Sequence, residues 1–143
     1  MPAIYNGLEF RTPLEARWAA FFDLANWEWW VNPAPVGDWS PDFKVQFRCS
    51  HSECSGSHSL LVAIVPVDKI DDAGKHPALA QIYMIKGPGS EHHTNIDAGA
   101  VFGTSPSVSQ FQMSHGPGGG SFDIGFWVDS PNALWAKAAD LVV

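Results

Sequence analysis

Apolar residues recur with a helical period near the start of the chain. Thr12-Pro13-Leu14-Glu15 reads as an N-cap, a proline at the first helical position and the glutamate of a capping box. Leu14, Trp18, Phe21 and Ala25 fall at i, i+4, i+7 and i+11, which predicts one apolar stripe on a helix of about 13 residues. The period then shortens. Trp27 to Val31 is aromatic and β-prone, and Asn32-Pro33-Ala34-Pro35 ends it in a turn. Phe43, Val45 and Phe47 alternate with polar residues, the pattern of a half-buried strand. A polar loop from Arg48 to Ser59 leads to the unbroken apolar run Leu60 to Val67, which predicts a strand covered on both faces.

The second half repeats this vocabulary. His76 to Ile85 predicts a helix begun at Pro77, and Gly87 to Gly99 a loop rich in glycine, histidine and acids. Ala100 to Phe102, Ser109 to Met113 and Phe122 to Val128 read as three strands, the last two joined by the glycine-rich loop HGPGGGS. Ser130-Pro131 opens a terminal helix with Leu134, Ala138 and Leu141 on its buried face. No repeat, coiled coil or linker interrupts the pattern. The expectation is a single domain over residues 1–143, an α/β fold of the α+β kind with a mixed sheet flanked by helices.

Composition narrows the function classes. Apolar residues make up 45% of the 143 positions, with seven Trp and nine Phe, enough for one core. So many Trp suggest that some form an interaction patch. No stretch reaches the roughly 18 apolar residues of a membrane span. The start MPAIYNGLEF has neither the basic nor the apolar region of a signal peptide, so the expected location is cytoplasmic. Eight Lys and Arg against fifteen Asp and Glu give a net charge of -7. That balance argues against broad non-specific DNA binding, which draws on Lys and Arg to release condensed counterions. It leaves a protein partner, or a nucleic acid held by a local patch.

One polar segment carries metal-ligand chemistry. Cys49, His51, Cys54 and His58 place two thiols and two imidazoles within ten positions. These are the ligands zinc prefers, in the number that closes a tetrahedral site. The spacing C-x-H-x₂-C-x₃-H is tighter than in zinc fingers, and a polar hairpin loop with incidental thiols and imidazoles is the alternative. A second polar group comprises His92, His93 and Asp97 with His115 before Gly116 to Gly120. Imidazole and carboxylate there offer acid–base chemistry, and the glycines offer backbone N–H groups to an anion; a flexible hairpin loop explains the same residues. No G-x-S-x-G nucleophile motif is present, and the glycine loop lacks the lysine of a P-loop.

YNGLEFRTPLEARWAAFFDLANWEWWVNPAP, followed by PDFKV, resembles a PD-(D/E)XK nuclease-like family common in phage and mobile-element genomes. Its members open with Y-x-G-x-x-F-R-S-x-L-E-A-R-W-A-x-F-F-D and continue to W-x-Y-E-P and P-D-F. The match spans about Tyr5 to Val45, with LEARWAAFFD its most specific part. The resemblance implies a restriction-endonuclease-like core in which Glu15 and Asp42 help hold Mg²⁺ or Mn²⁺. In that family the next strand adds an E-x-K pair, whose acid completes the metal site and whose lysine steadies the attacking water. Mg²⁺ requires several oxygen ligands, and phosphodiester hydrolysis requires the metal to activate water. Here the expected positions are Ala63 and Val65, both apolar.

Three functional expectations follow. The first is a degenerate, non-catalytic PD-(D/E)XK-like protein that binds a nucleic-acid-handling or defence-related partner. The second is an active nuclease with relocated ligands, Asp68 or Glu53 supplying the third acid. The third is a zinc-stabilised structural or interaction module. Without the resemblance, Glu15 is explained by its capping box and Asp42 by a strand-entry turn.

Overall fold

The computed structural model describes residues 2–50, 54, 56–85, 96–116 and 118–143. A short hairpin, β1 (Ala3–Tyr5) and β2 (Leu8–Phe10), precedes helix α1 (Pro13–Leu24). Strands β3 (Glu28–Val31), β4 (Phe43–Arg48) and β5 (Ser57–Ile64) follow, then β6 (Ala98–Phe102), β7 (Ser109–His115) and β8 (Gly118–Phe122). A one-turn helix α2 (Ile124–Trp127) and helix α3 (Pro131–Leu141) end the chain. β3 to β8 form one sheet in sequence order, antiparallel throughout except for the parallel pair β5–β6. The fold is therefore a mixed sheet with helices, of the α+β kind. No helix among the described residues is long and apolar enough to cross a membrane.

α1 begins as its sequence requires: the Thr12 hydroxyl accepts from Glu15 N–H at 3.2 Å, and Pro13 follows the cap. Its Trp18, Phe21 and Phe22 are fully buried against the sheet face built by Phe43, Val45 and Phe47 of β4, Leu60 and Val62 of β5, and Phe102, Phe111 and Met113. Trp18 anchors this layer. Its ring centroid lies 4.9 Å from Phe102 and 4.5 Å from Trp135 of α3, and its indole N–H donates to Gly103 O at 2.9 Å. Arg17 ties the helices together: its guanidinium donates twice to Trp135 O, at 3.0 and 2.8 Å, and stands 4.1 Å from that ring.

The opposite face carries a smaller cluster of Leu61, Ala63 and Val101 under Trp39, Ala73, Ala78, Ile85 and Ile96. Cover on both faces explains the unbroken apolar run of β5. β5 ends at Ile64, short of the predicted Val67, and begins at Ser57, so His58 belongs to a strand and not to the polar loop.

Elsewhere tertiary contacts override local pattern. The helix expected over His76 to Ile85 is a single 3₁₀ turn, Pro77–Ala80. Beyond it Gln81 is extended, its carbonyl accepts from Gly99 N–H at 2.8 Å, and Tyr83 N–H donates to Gln112 O of β7 at 3.0 Å. The sheet thus takes the backbone groups that a longer helix would have used. Gly99 makes this possible, because a Cβ there would stand 2.3 Å from Ala78 O. The strand expected over Phe122 to Val128 ends at Phe122 and gives way to α2. Asp123 caps that helix by accepting from Phe126 N–H at 3.1 Å, and Ile124 is buried. The supposed loop Gly118 to Gly120 is instead the start of β8. In α3, Trp135 and Ala138 are buried, whereas Leu141 is exposed.

The Trp residues do not form an exposed patch. Trp18, Trp27, Trp39 and Trp135 are buried, Trp29 and Trp127 are intermediate, and exposed Trp30 has the Lys44 ammonium 5.0 Å from its ring.

Candidate metal centre

Strand alternation brings three ligand-type side chains to one end of the α1 face. On β4, Phe43, Val45 and Phe47 point to α1, and Cys49 follows two positions later. On β5, His58 precedes Leu60 and Val62, which point the same way; on β7, His115 follows Phe111 and Met113. The register Phe47↔His58 sets β4 beside β5, and Leu60↔Ala98 with Ala100↔Phe111 carries the same end of the sheet across β6 to β7. Cys54 joins from the segment between β4 and β5. The ligand atoms of Cys49, Cys54, His58 and His115 all lie within 4.8 Å of one another.

The spacing within the group fits a tetrahedral ion. His115 Nδ1 lies 3.5 Å from Cys49 Sγ and 3.5 Å from Cys54 Sγ. A tetrahedral centre with Zn–S near 2.3 Å and Zn–N near 2.0–2.1 Å has S···N edges of about 3.6 Å. Gly116, at φ 62°, turns its N–H towards Cys54 Sγ at 3.2 Å. That left-handed conformation favours glycine, so the residue after His115 is matched to the task.

The surroundings tune both kinds of ligand. Burial alone would raise the Cys54 thiol, but the Gly116 N–H, Cys49 and His58 outweigh it and hold the thiol below its ordinary range. Burial would likewise lower the His58 imidazole; Asp97 and Cys54 reverse the sign and raise it. Asp97 Oδ2 stands 3.5 Å from His58 Nδ1 and accepts from Ser59 N–H at 2.8 Å, so the carboxylate is fixed behind the imidazole. A histidine backed by a carboxylate is the usual outer support of a metal-bound imidazole. Aromatic rings wall the group: Trp127 lies 5.1 Å from His115 and 5.3 Å from His58, and Phe47 lies 5.8 Å from His58.

Hydrogen bonding singles out this end of the sheet. Among the described residues, the buried side-chain nitrogen or oxygen atoms lacking a hydrogen-bond partner are Nδ1 and Nε2 of His58 and Nε1 of Trp127. All three belong to the Cys/His group or its wall. His58 is only 4% exposed, and an orphaned buried nitrogen costs about 1–3 kcal/mol. A metal ion held by His58, with Asp97 supporting the imidazole, would remove that cost. The cluster could hold a metal ion such as zinc.

The structure thus brings together Cys49, Cys54 and His58 of the predicted ligand set and adds His115, which the sequence pattern had assigned to a separate polar group. Asp97 of that group also arrives here, as the outer support. His51, Glu53, His92 and His93 lie outside the described residues.

The carboxylate pair of the first third forms a different arrangement. Arg11 donates to both Glu15 and Asp42, with its Nη2 3.0 Å from Glu15 Oε1. The second Asp42 oxygen accepts from Ile64 N–H at 2.8 Å, and Asp42 N–H donates to Val62 O at 2.8 Å. A guanidinium thus supplies the countercharge to both carboxylates. Among the described residues no third carboxylate or imidazole joins Glu15 and Asp42 in a metal-sized group. Asp68 instead accepts from the Thr104 hydroxyl at 2.7 Å. Ala63 and Val65 pack on the face away from α1, while Val62 and Ile64, whose backbone groups bond Asp42, pack on the α1 face. These too are apolar, and neither register supplies an acid or a lysine.

No family model matches this sequence, and neither a curated protein nor a solved structure matches it.

Proposed function

We propose that this chain is a zinc-stapled, non-catalytic α+β binding domain. One observation carries the reading: two thiols and two imidazoles converge within 4.8 Å, and among the described residues neither ring nitrogen of the buried His58 has a hydrogen-bond partner. Four protein ligands fill a tetrahedral shell and leave no open position for water, which marks a structural and not a catalytic zinc site. The ion, held by Cys49, Cys54, His58 and His115, would supply cross-linking: it joins the β4–β5 connection to the β7–β8 turn across the end of the sheet.

The non-catalytic half of the proposal rests on the absence, among the described residues, of a third ligand grouped with Glu15 and Asp42, to which Arg11 supplies the countercharge. A guanidinium bridging Glu15 and Asp42 satisfies both acids and competes with any divalent ion for them. The apolar side chains on both faces of β5 offer no third ligand and no lysine near the pair. Together with the resemblance to PD-(D/E)XK nucleases, this supports a nuclease-like domain that has kept the frame and lost the hydrolytic centre. Its role is then to bind a partner, and its net charge of -7 favours a protein over a polyphosphate.

Elemental analysis of protein purified without chelator tests the first half, with one zinc per chain expected. Incubation with plasmid and single-stranded DNA in Mg²⁺ or Mn²⁺ tests the second. Absence of zinc sinks the metal reading, and metal-dependent cutting abolished by Glu15→Ala/Asp42→Ala sinks the non-catalytic one.

A further inference from the structure

We propose that Cys49 and Cys54 make the metal centre a peroxide-oxidisable one, in which formation of a Cys49–Cys54 disulfide expels the ion. The inference rests on the zinc reading and assigns that site a mode of regulation. The chain has two cysteines, both of them in this group, so oxidation has one intramolecular disulfide available to it. Their sulfurs already lie within 4.8 Å of each other. The two differ in access: Cys49 is buried at 8% exposure, whereas Cys54 is partly exposed. Cys54 is also the sulfur that receives the Gly116 N–H at 3.2 Å, a contact that stabilises the thiolate, the reactive form.

The steps balance as follows. The Cys54 thiolate attacks one oxygen of hydrogen peroxide; the O–O bond breaks, hydroxide leaves, and a sulfenic acid forms. The Cys49 thiolate then attacks the Cys54 sulfur; the S–O bond breaks, a second hydroxide leaves, and the S–S bond forms. The two thiolates lose two electrons, and the peroxide is reduced to two hydroxides. Two imidazoles remain, too few to close a tetrahedral zinc shell, and the ion departs. The consequence is local. The β4–β5 connection and the β7–β8 turn lose their tie, while the layer of α1 on the sheet, centred on Trp18, shares no ligand with the site.

The test uses the full chain loaded with one zinc per molecule and titrated with hydrogen peroxide. Released zinc is read with a chromogenic chelator and remaining thiols by thiol titration. The expected result is one zinc released for every two thiols lost, reversed by dithiothreitol with added zinc. A Cys54→His variant keeps four ligands with a single thiol and should retain its zinc at peroxide concentrations that empty the unmodified chain. Zinc held while both thiols are consumed, thiols left intact at tenfold excess peroxide, or equal release from Cys54→His would each overturn the switch. A chain that binds no zinc before peroxide is added overturns the metal reading itself, and the switch with it.

Discussion

The two polar clusters of this domain, one of a guanidinium with carboxylates and one of thiols with imidazoles, reach opposite states. At Arg11, Glu15 and Asp42, each charged group finds its counterpart inside the chain: the guanidinium serves both acids, and Ile64 N–H takes the remaining Asp42 oxygen. At Cys49, Cys54, His58 and His115 the side chains converge as tightly, yet among the described residues neither ring nitrogen of buried His58 has a hydrogen-bond partner, Asp97 standing 3.5 Å from Nδ1. Buried polar groups are nearly always satisfied, so a cluster complete in itself needs no ligand and an incomplete one points to a ligand. By this criterion the Cys/His cluster is the stronger candidate for metal chemistry.

The largest expected effect comes from removing the metal. If free zinc stands about a thousandfold above its dissociation constant, binding contributes about 4 kcal/mol to stability. A strong chelator should then lower the melting temperature by roughly 10 °C in a chain of this size, as read by calorimetry or circular dichroism. The Glu15→Ala/Asp42→Ala variant should show the same chelator response as the unmodified protein. Equal melting with and without chelator would erase the distinction between the clusters.

Next is the outer support of the metal. Asp97→Asn keeps shape but removes the charge behind His58, and should weaken zinc binding about 10- to 100-fold in competition with a chelating dye. Unchanged affinity would mean that the Asp97 charge does not support the metal site.

In the carboxylate cluster, Asp42→Ala removes the acceptor of Ile64 N–H and should cost about 1–2 kcal/mol. Asp42→Asn retains an acceptor oxygen and should recover most of that loss in urea unfolding. If the two variants cost the same, the charge pair with Arg11 and not the backbone bond is what Asp42 contributes.

The smallest effect is expected from Arg11→Ala. The side chain of Arg11 is 67% exposed, and an exposed ion pair contributes less than about 1 kcal/mol. The same variant should acquire no measurable Mg²⁺-dependent cutting of plasmid DNA, since two acids without a third ligand still bind the ion poorly.

Much of the frame was legible in the order of residues. The capping box at Thr12 and Glu15, the alternation of Phe43, Val45 and Phe47, and the apolar run of β5 are local signals, and each yields its element because neighbouring positions alone decide it. The thiols and His58 were visible as soft ligands for the same reason. Where local signal was weak, tertiary contacts decided. The segment after Pro77 gave its backbone groups to β6 and β7, and Gly118 to Gly120 became an edge strand paired with Met113 to His115. His115 lies 66 positions from Cys49, and a ligand supplied across two strand pairings leaves no trace in spacing. One sequence signal could have found it: His115 continues the alternation of Phe111 and Met113, which sets it on the covered face of its strand.

The sequence by itself determined that Cys49, Cys54 and His58 could bind a soft metal, where the first helix starts, and that β5 carries neither an acid nor a lysine. Those are properties of residue type and of neighbours along the chain. Only the tertiary structure decided that Arg11 closes the carboxylate pair and that His115 and Asp97 complete the Cys/His centre, because both depend on strand registers and loop paths that bring distant residues within bonding distance.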